Sequence, residues 1–147
     1  MICNPDALYP AVIVHGAEDV RAALSAGQRL TLLSGPGAAL YAGCLWWREL
    51  ADLARREFPG LVAADILDCA DAPGRALEAI RVGQTCLILS TSVPGFAAVA
   101  AIAGAQGLCL LRERPPALDM AELGASRRLE GWLRDKTGNV DRTAPLG

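Results

Sequence analysis

The sequence predicts an α/β domain built on a doubly wound parallel sheet, and three observations carry that prediction. Short apolar runs alternate with longer amphipathic ones through most of the 147 residues. A glycine stands just ahead of four of the apolar runs: Gly27 before LTLL, Gly60 before LVAADIL, Gly83 before TCLIL and Gly107 before LCLL. That is where a helix C-cap hands over to a strand. The hydrophobic fraction is 52% with only 5% aromatic, so the apolar mass is Ala, Leu, Val and Ile, as in helices packed on buried strands.

The elements follow in order. A first strand over about 11–15 ends on the only histidine, His15, directly before Gly16. A helix over about 17–26 leads to a strand over 29–34, and the turn SGPG opens a long helix over 38–58. On that helix Leu40, Cys44, Trp47, Ala51, Ala54 and Phe58 recur at helical spacing as the core-facing stripe. Tyr41 and Leu45 fall off the stripe, and Trp46, Leu50 and Leu53 widen it. A strand over 62–68 closes on Asp68. The next helix, 72–82, has Pro73 in its first turn and Asp71 as its expected cap. A strand over 85–90, a helix over 95–106, a strand over 108–112 and a helix over 118–135 complete the series. Five strands and five helices fit an open flavodoxin-like sheet of order 2-1-3-4-5 with helices on both faces; the alternative is a partial or assembled (β/α) barrel, which ordinarily needs more chain. A single domain is expected over 1–136, followed by a polar tail over 137–147.

Composition removes several function classes. A net charge of -2 offers no footprint for nucleic acid or an anionic membrane. The five cysteines (Cys3, Cys44, Cys69, Cys86 and Cys109) are odd in number and contain no C-x-x-C, so neither a disulfide framework nor a zinc site is suggested, and reduced thiols in a cytoplasmic protein are expected. The N-terminus lacks the basic and long apolar parts of a signal peptide. From Thr85 to Leu111 no residue is charged, long enough to span a bilayer, but STSVPG, Gly104 and Gly107 break the run into strand, turn, buried helix and strand. The segments GQRLTLLS (27–34) and GQTCLILS (83–90) echo one another, as two strand-helix units of this kind do by convergence.

In a parallel sheet ligands bind beyond the carboxyl ends of the strands, and the candidate residues collect there. The SGPG turn matches neither a dinucleotide fingerprint, since Leu40 stands where the third glycine belongs, nor a Walker loop, since no lysine is present. It retains glycine-permitted turns, Ser34 as a capping side chain and a helix N-terminus that would welcome an anion. Ser34, Gly35 and Gly37 are therefore anion-holding candidates, with Thr91 after the fourth strand and Arg112 and Arg114 after the fifth as further ligand contacts. His15 and Asp68 are the acid-base candidates. Cys69 is a nucleophile only if a neighbour lowers its pKa. A Ser-His-Asp triad is not indicated, because Ser34 lacks the G-x-S-x-G elbow. No metal site or cofactor is named by these residues.

Asp68 at the third strand's end, Thr91 after the fourth and Arg114-Pro115 after the fifth together resemble response-regulator receiver domains over roughly the last 80 residues. The resemblance implies a phosphorylated aspartate at Asp68 with bound magnesium. The departures lie at His15-Gly16, where that family has an acidic pair, and at Arg114, where it has lysine; the interval from Asp68 to Thr91 is also short for it. They argue against that chemistry. The expected function is binding of a small anionic molecule, bearing phosphate or carboxylate, at the strand ends. The alternatives are a small-metabolite enzyme using His15 and Asp68, and a non-catalytic oligomeric or pseudo-receiver module. The helix GFAAVAAIAGAQ, 95–106, presents Phe96, Val99, Ile102 and Ala103 as its expected sheet-facing stripe and Ala97, Ala98, Ala101, Gly104 and Ala105 opposite, without charge. A homodimer through this helix is expected.

Overall fold

Six parallel strands, not five, form the sheet. The structure is a computed structural model that describes residues 8–137, with side chains to Asp135. The strands are β1 (Ala11–Ile13), β2 (Leu30–Leu33), β3 (Val62–Asp68), β4 (Cys86–Ile88), β5 (Cys109–Leu111) and β6 (Ala117–Asp119). The helices are α1 (Ala17–Leu24), α2 (Ala38–Tyr41), α3 (Cys44–Glu57), α4 (Pro73–Arg81), α5 (Phe96–Ala105) and α6 (Ala125–Thr137). Apart from Thr137, the tail expected over 137–147 lies outside the described residues.

The order is β5-β4-β3-β2-β1-β6, which corrects the expected 2-1-3-4-5. Each of β2 to β5 is added beside its predecessor, and only β6 returns, to pair with β1 through Ala11 and Ala117, Val12 and Leu118, and Ile13 and Asp119. Right-handed crossovers that always advance in one direction place their helices on one face. The packing agrees: one cluster joins Val12, Leu32, Leu67, Leu87 and Leu118 of the strands to Val20, Trp47, Ala76, Val99 and Leu133 of the helices. The opposite face holds a second cluster of strand residues, Ala11, Leu33, Ile66, Cys86, Ile88, Cys109 and Leu111, with no helix residue in it. Among the described residues the expected two-sided covering is thus replaced by helices on one face alone, an arrangement shared with the barrel alternative. Each large aliphatic side chain fully buried in these clusters contributes about 1.5–3 kcal/mol.

The connector Arg112–Pro116 joins the two outermost strands of the sheet. Five strand spacings on a flat sheet measure about 24 Å, whereas so short a connector reaches about 20–22 Å even when extended. The sheet therefore curls about its helix-free face, and the connector crosses the hollow as a strap. Arg114, at its middle, donates from Nη1 to Asp68 Oδ2 at 2.7 Å and from Nη2 to the Ser34 carbonyl at 2.9 Å. Asp68 alternates with Leu67 and so shares the helix-free face with Ile66.

Two expected helices needed correction. The helix expected over 38–58 is broken into α2 and α3 at Gly43, whose φ of 100° is left-handed. The break throws Leu40 out of phase with the buried stripe, so it is 48% exposed, while Cys44, Trp47, Leu50, Ala51 and Ala54 are buried as a helix face. The helix expected from 118 begins only at Ala125; its first residues belong to β6, and Gly124, with φ 79°, makes the turn between them. On α5, Val99 and Ala103 face inward, but Ile102 is 38% exposed beside the exposed Ala97, Ala98, Ala101, Gly104 and Ala105. No described helix is long and apolar enough to cross a membrane.

Candidate functional site

The carboxyl ends of β1, β2, β3 and β6 bring together six of the eight residues named from sequence. His15 follows β1, Ser34, Gly35 and Gly37 follow β2, Asp68 ends β3, and Arg114 reaches them from the strap. Thr91, exposed in the turn after β4, and Arg112 after β5 lie toward the other side of the sheet. The Arg112 guanidinium sits 5.9 Å from the centre of the Phe96 ring, a cation-π distance.

At the β3 end every charge is matched. Asp68 Oδ1 accepts the Ala70 N–H at 2.7 Å while Oδ2 takes Arg114, so both oxygens are engaged and the carboxylate is 4% exposed as a residue. Ala70 has φ 50°, a left-handed conformation unusual for a residue with a Cβ, and the Asp68 bond to its N–H helps hold it. Ser34 is wholly buried. Its hydroxyl donates to the Gly35 carbonyl at 3.0 Å and accepts the Asp68 N–H at 2.9 Å, so it links β2 to β3 instead of capping a helix or facing His15. The cap of α2 is Gly37, with φ 69°, and that helix is a single turn, which leaves little dipole for an anion. Asp71 does not cap α4 either; Ala72 occupies that place without a side-chain bond.

The β1–β6 boundary differs. It is the one place where strand order departs from chain order, and here His15 Nε2 lies 2.8 Å from Asp119 Oδ1, at the end of β6. The histidine's carboxylate partner is therefore Asp119 and not Asp68. The backbone fixes the ring's base: the His15 N–H donates to Asp19 Oδ2 at 2.8 Å, and the Ala121 N–H donates to the same Asp119 Oδ1 at 2.9 Å. A carboxylate can only accept, so Nε2 carries the hydrogen in this contact and Nδ1 is the ring nitrogen left toward Gly35.

Nδ1 looks onto Gly35. A Cβ built there would lie 3.3 Å from His15 Nδ1, 3.1 Å from His15 Cε1 and 2.5 Å from Tyr41 Oη. The last distance is too short for a Cβ to coexist with Tyr41 in this position, and the φ of Gly35 is not left-handed, so the bare α-carbon gives the phenol its place and backbone freedom plays no part. Imidazole and phenol thus converge over one bare α-carbon. Tyr41 is 67% exposed and enters from the last residue of α2.

The free cysteines among the described residues are buried away from this chemistry. Burial, with Cys44 and Asp68 adding to it, pushes the Cys69 thiol up to about 12, so it is protonated and unreactive at neutral pH; Cys86 is likewise pushed up to about 12 by burial and Asp65. Cys44, Cys69 and Cys86 are free, whereas Cys109 is disulfide-bonded, against the expectation of reduced thiols throughout. No group of three or more His, Cys, Asp or Glu side chains comes together as a metal site among the described residues.

Sequence reasoning missed Asp119, and it set Tyr41 close to the site without naming it among the site residues. Asp119 was hidden inside an expected helix, because only Ala117 and Leu118 precede it and so short a stretch does not mark a strand end as the run before Asp68 does. The strand order also separates the chain from the doubly wound receiver arrangement that the residues around Asp68 resemble. Fold and site together define an α/β domain with a parallel sheet, its described helices on one face, and a polar centre at the carboxyl ends of the strands. Comparison of the sequence with known families and with curated proteins finds no match.

Proposed function

We propose that the carboxyl edge at β1 and β6 is an acid-base site for a small molecule carrying a phosphate or carboxylate group. The observation that carries this reading is the His15–Asp119 pair, with Nδ1 open over Gly35 beside the Tyr41 hydroxyl. His15 Nδ1 takes or returns a proton, Asp119 orients the ring and stabilises it when charged, and Tyr41 donates a hydrogen bond to a substrate oxygen. The Gly35 and Gly37 N–H groups, to which no acceptor among the described residues is assigned, are placed to meet the anionic group. Asp68 and Arg114 serve as the wall of the site. Their charges are spent on one another, so Arg114 is a poor counter-ion for a ligand.

The test is a titration with inorganic phosphate and with acetate, followed by amide and imidazole NMR. The Gly35–Ala39 amides and the His15 ring respond, and His15→Gln abolishes the response with the rest of the spectrum intact. Amides that stay in place at tens of millimolar of both anions overturn the proposal. Self-association is a second proposal, favoured by the uncharged exposed face of α5; sedimentation velocity reads it, and a 15.4 kDa species at every concentration rejects it.

A further inference from the structure

Cys109 is disulfide-bonded, and of the five cysteines in the sequence Cys44, Cys69 and Cys86 are free. Counting leaves Cys3, which lies outside the described residues, as the partner within the chain. The place of Cys109 gives that bond a meaning. It is the first residue of β5, as Cys86, its register partner, is of β4, and both belong to the cluster on the helix-free face. Because the strands are parallel, both stand at the amino end of the sheet, away from the carboxyl end that the strap Arg112–Pro116 crosses. At this end Ala11 is 3% exposed, Cys86 6% and Cys109 8%, although no helix residue joins their cluster.

Leu8, just ahead of β1, packs against the same cluster and brings the chain in from the amino side. The residues before it have the character and the reach to continue across. Met1, Ile2 and Cys3 are apolar, as the face is. Four strand spacings separate β1 from β5, about 19 Å on a flat sheet and less on a curled one. The run from Cys3 to Leu8 extends to about 17 Å, and a disulfide adds about 5.5 Å between α-carbons. From this we infer that Cys3 and Cys109 form a redox-sensitive latch, which holds residues 1–7 across the amino end of the helix-free face as a second strap. Closing joins the two sulfurs and passes their electrons to a small-molecule disulfide, which leaves as two thiols carrying the protons. A dithiol reverses the exchange, opens the latch and lays the apolar face bare. Cys86 reports the change: free, and beside Cys109, it is shielded while the latch is closed and meets solvent when it opens. Cys44 and Cys69 belong to the cluster on the helix-covered face and stay shielded in both states.

The experiment uses the full chain, oxidised with glutathione disulfide and digested without reductant. Peptide mapping by mass spectrometry finds Cys3 joined to Cys109, and iodoacetamide labels Cys86 of the folded protein slowly. Treatment with dithiothreitol, removed before labelling, speeds the reaction of Cys86 severalfold and leaves Cys44 and Cys69 slow; Cys3→Ser gives the fast rate without it. Cys109 joined to Cys86 or to a second chain overturns the inference, as does a chain that forms no disulfide under the oxidant. Labelling of Cys86 that is indifferent to dithiothreitol overturns it too. Were Cys44 and Cys69 labelled in step with Cys86, reduction would be unfolding the whole domain, and the bond would be a staple of the fold instead of a latch on one face.

Discussion

Two polar clusters on opposite faces of the sheet show what separates scaffold from site. Asp65, 2% exposed on the helix-covered face, is surrounded: Trp47 Nε1 donates to it at 3.0 Å, Arg48 at 3.1 Å, Gln84 at 2.8 Å and Arg55 at 2.6 Å. Gln84 in turn donates to the Asp65 and Cys86 carbonyls and accepts from Arg48. Both carboxylate oxygens of Asp65 and the amide of Gln84 are taken up by buried partners. His15 and Asp119 are instead partly exposed, and one imidazole nitrogen has no assigned partner. A saturated buried ion pair fixes how α3 sits on β3; an unsaturated pair at a strand end has capacity left for chemistry.

The comparison predicts a graded series of effects. Burial alone would raise the Asp65 pKa, but Arg48 first, then Arg55 and Gln84, outweigh it and hold the carboxyl below its usual range. Its stabilising contribution is therefore complete above the unfolded value, about 3.9, and is lost as pH falls through the lower folded value. Asp65→Asn, which strands the Arg48 charge, costs about 3 kcal/mol at pH 7, read as a lowered urea midpoint, and the deficit narrows as the pH falls below the unfolded value of about 3.9. A deficit independent of pH would show that packing and not charge holds this cluster.

Arg114→Met comes next. It leaves Asp68 buried beside an apolar side chain and releases the strap, and a loss of about 2 kcal/mol is expected in urea unfolding, less than at Asp65 because Arg114 is itself a quarter exposed. An unchanged midpoint would return Arg114 to the list of ligand contacts. Gly35→Ala is smaller still in stability, within about 1 kcal/mol, because the exposed Tyr41 can turn away from the new methyl. Its effect falls on the site: the His15 ring resonances shift and the anion response weakens. A substitution silent in both would show that the convergence over Gly35 has no functional weight.

Much of the fold was legible in the sequence, for definite reasons. The runs LTLL and LVAADIL, each following a glycine turn, gave β2 and β3 close to their observed limits, because a parallel strand buried on both faces needs a continuous apolar stretch. The order of strands was not legible, since it depends on which neighbours pair and not on any local pattern. The strand β6 was lost for a local reason: Ala-Leu-Asp-Met suits a helix as well as a strand, and three residues are too few to show a period. That loss concealed Asp119 and made Asp68 look like the histidine's partner. His15, Gly35 and Gly37 were legible because polar or glycine residues stood directly after apolar runs. Tyr41 was half legible: its place off the buried stripe in the first turns, close to the strand ends, was visible, but the approach of its hydroxyl to Gly35 depends on side-chain geometry that spacing does not show.

The account turns on the orientation of one ring, and His15 is the only histidine in the chain, so its signals are unambiguous. Long-range proton–nitrogen NMR of the imidazole at alkaline pH reads which nitrogen carries the proton. The account predicts the Nε2–H form, held by Asp119, with Nδ1 unprotonated, and loss of that preference in Asp119→Ala. A ring protonated at Nδ1, or a tautomer balance indifferent to Asp119→Ala, would contradict it.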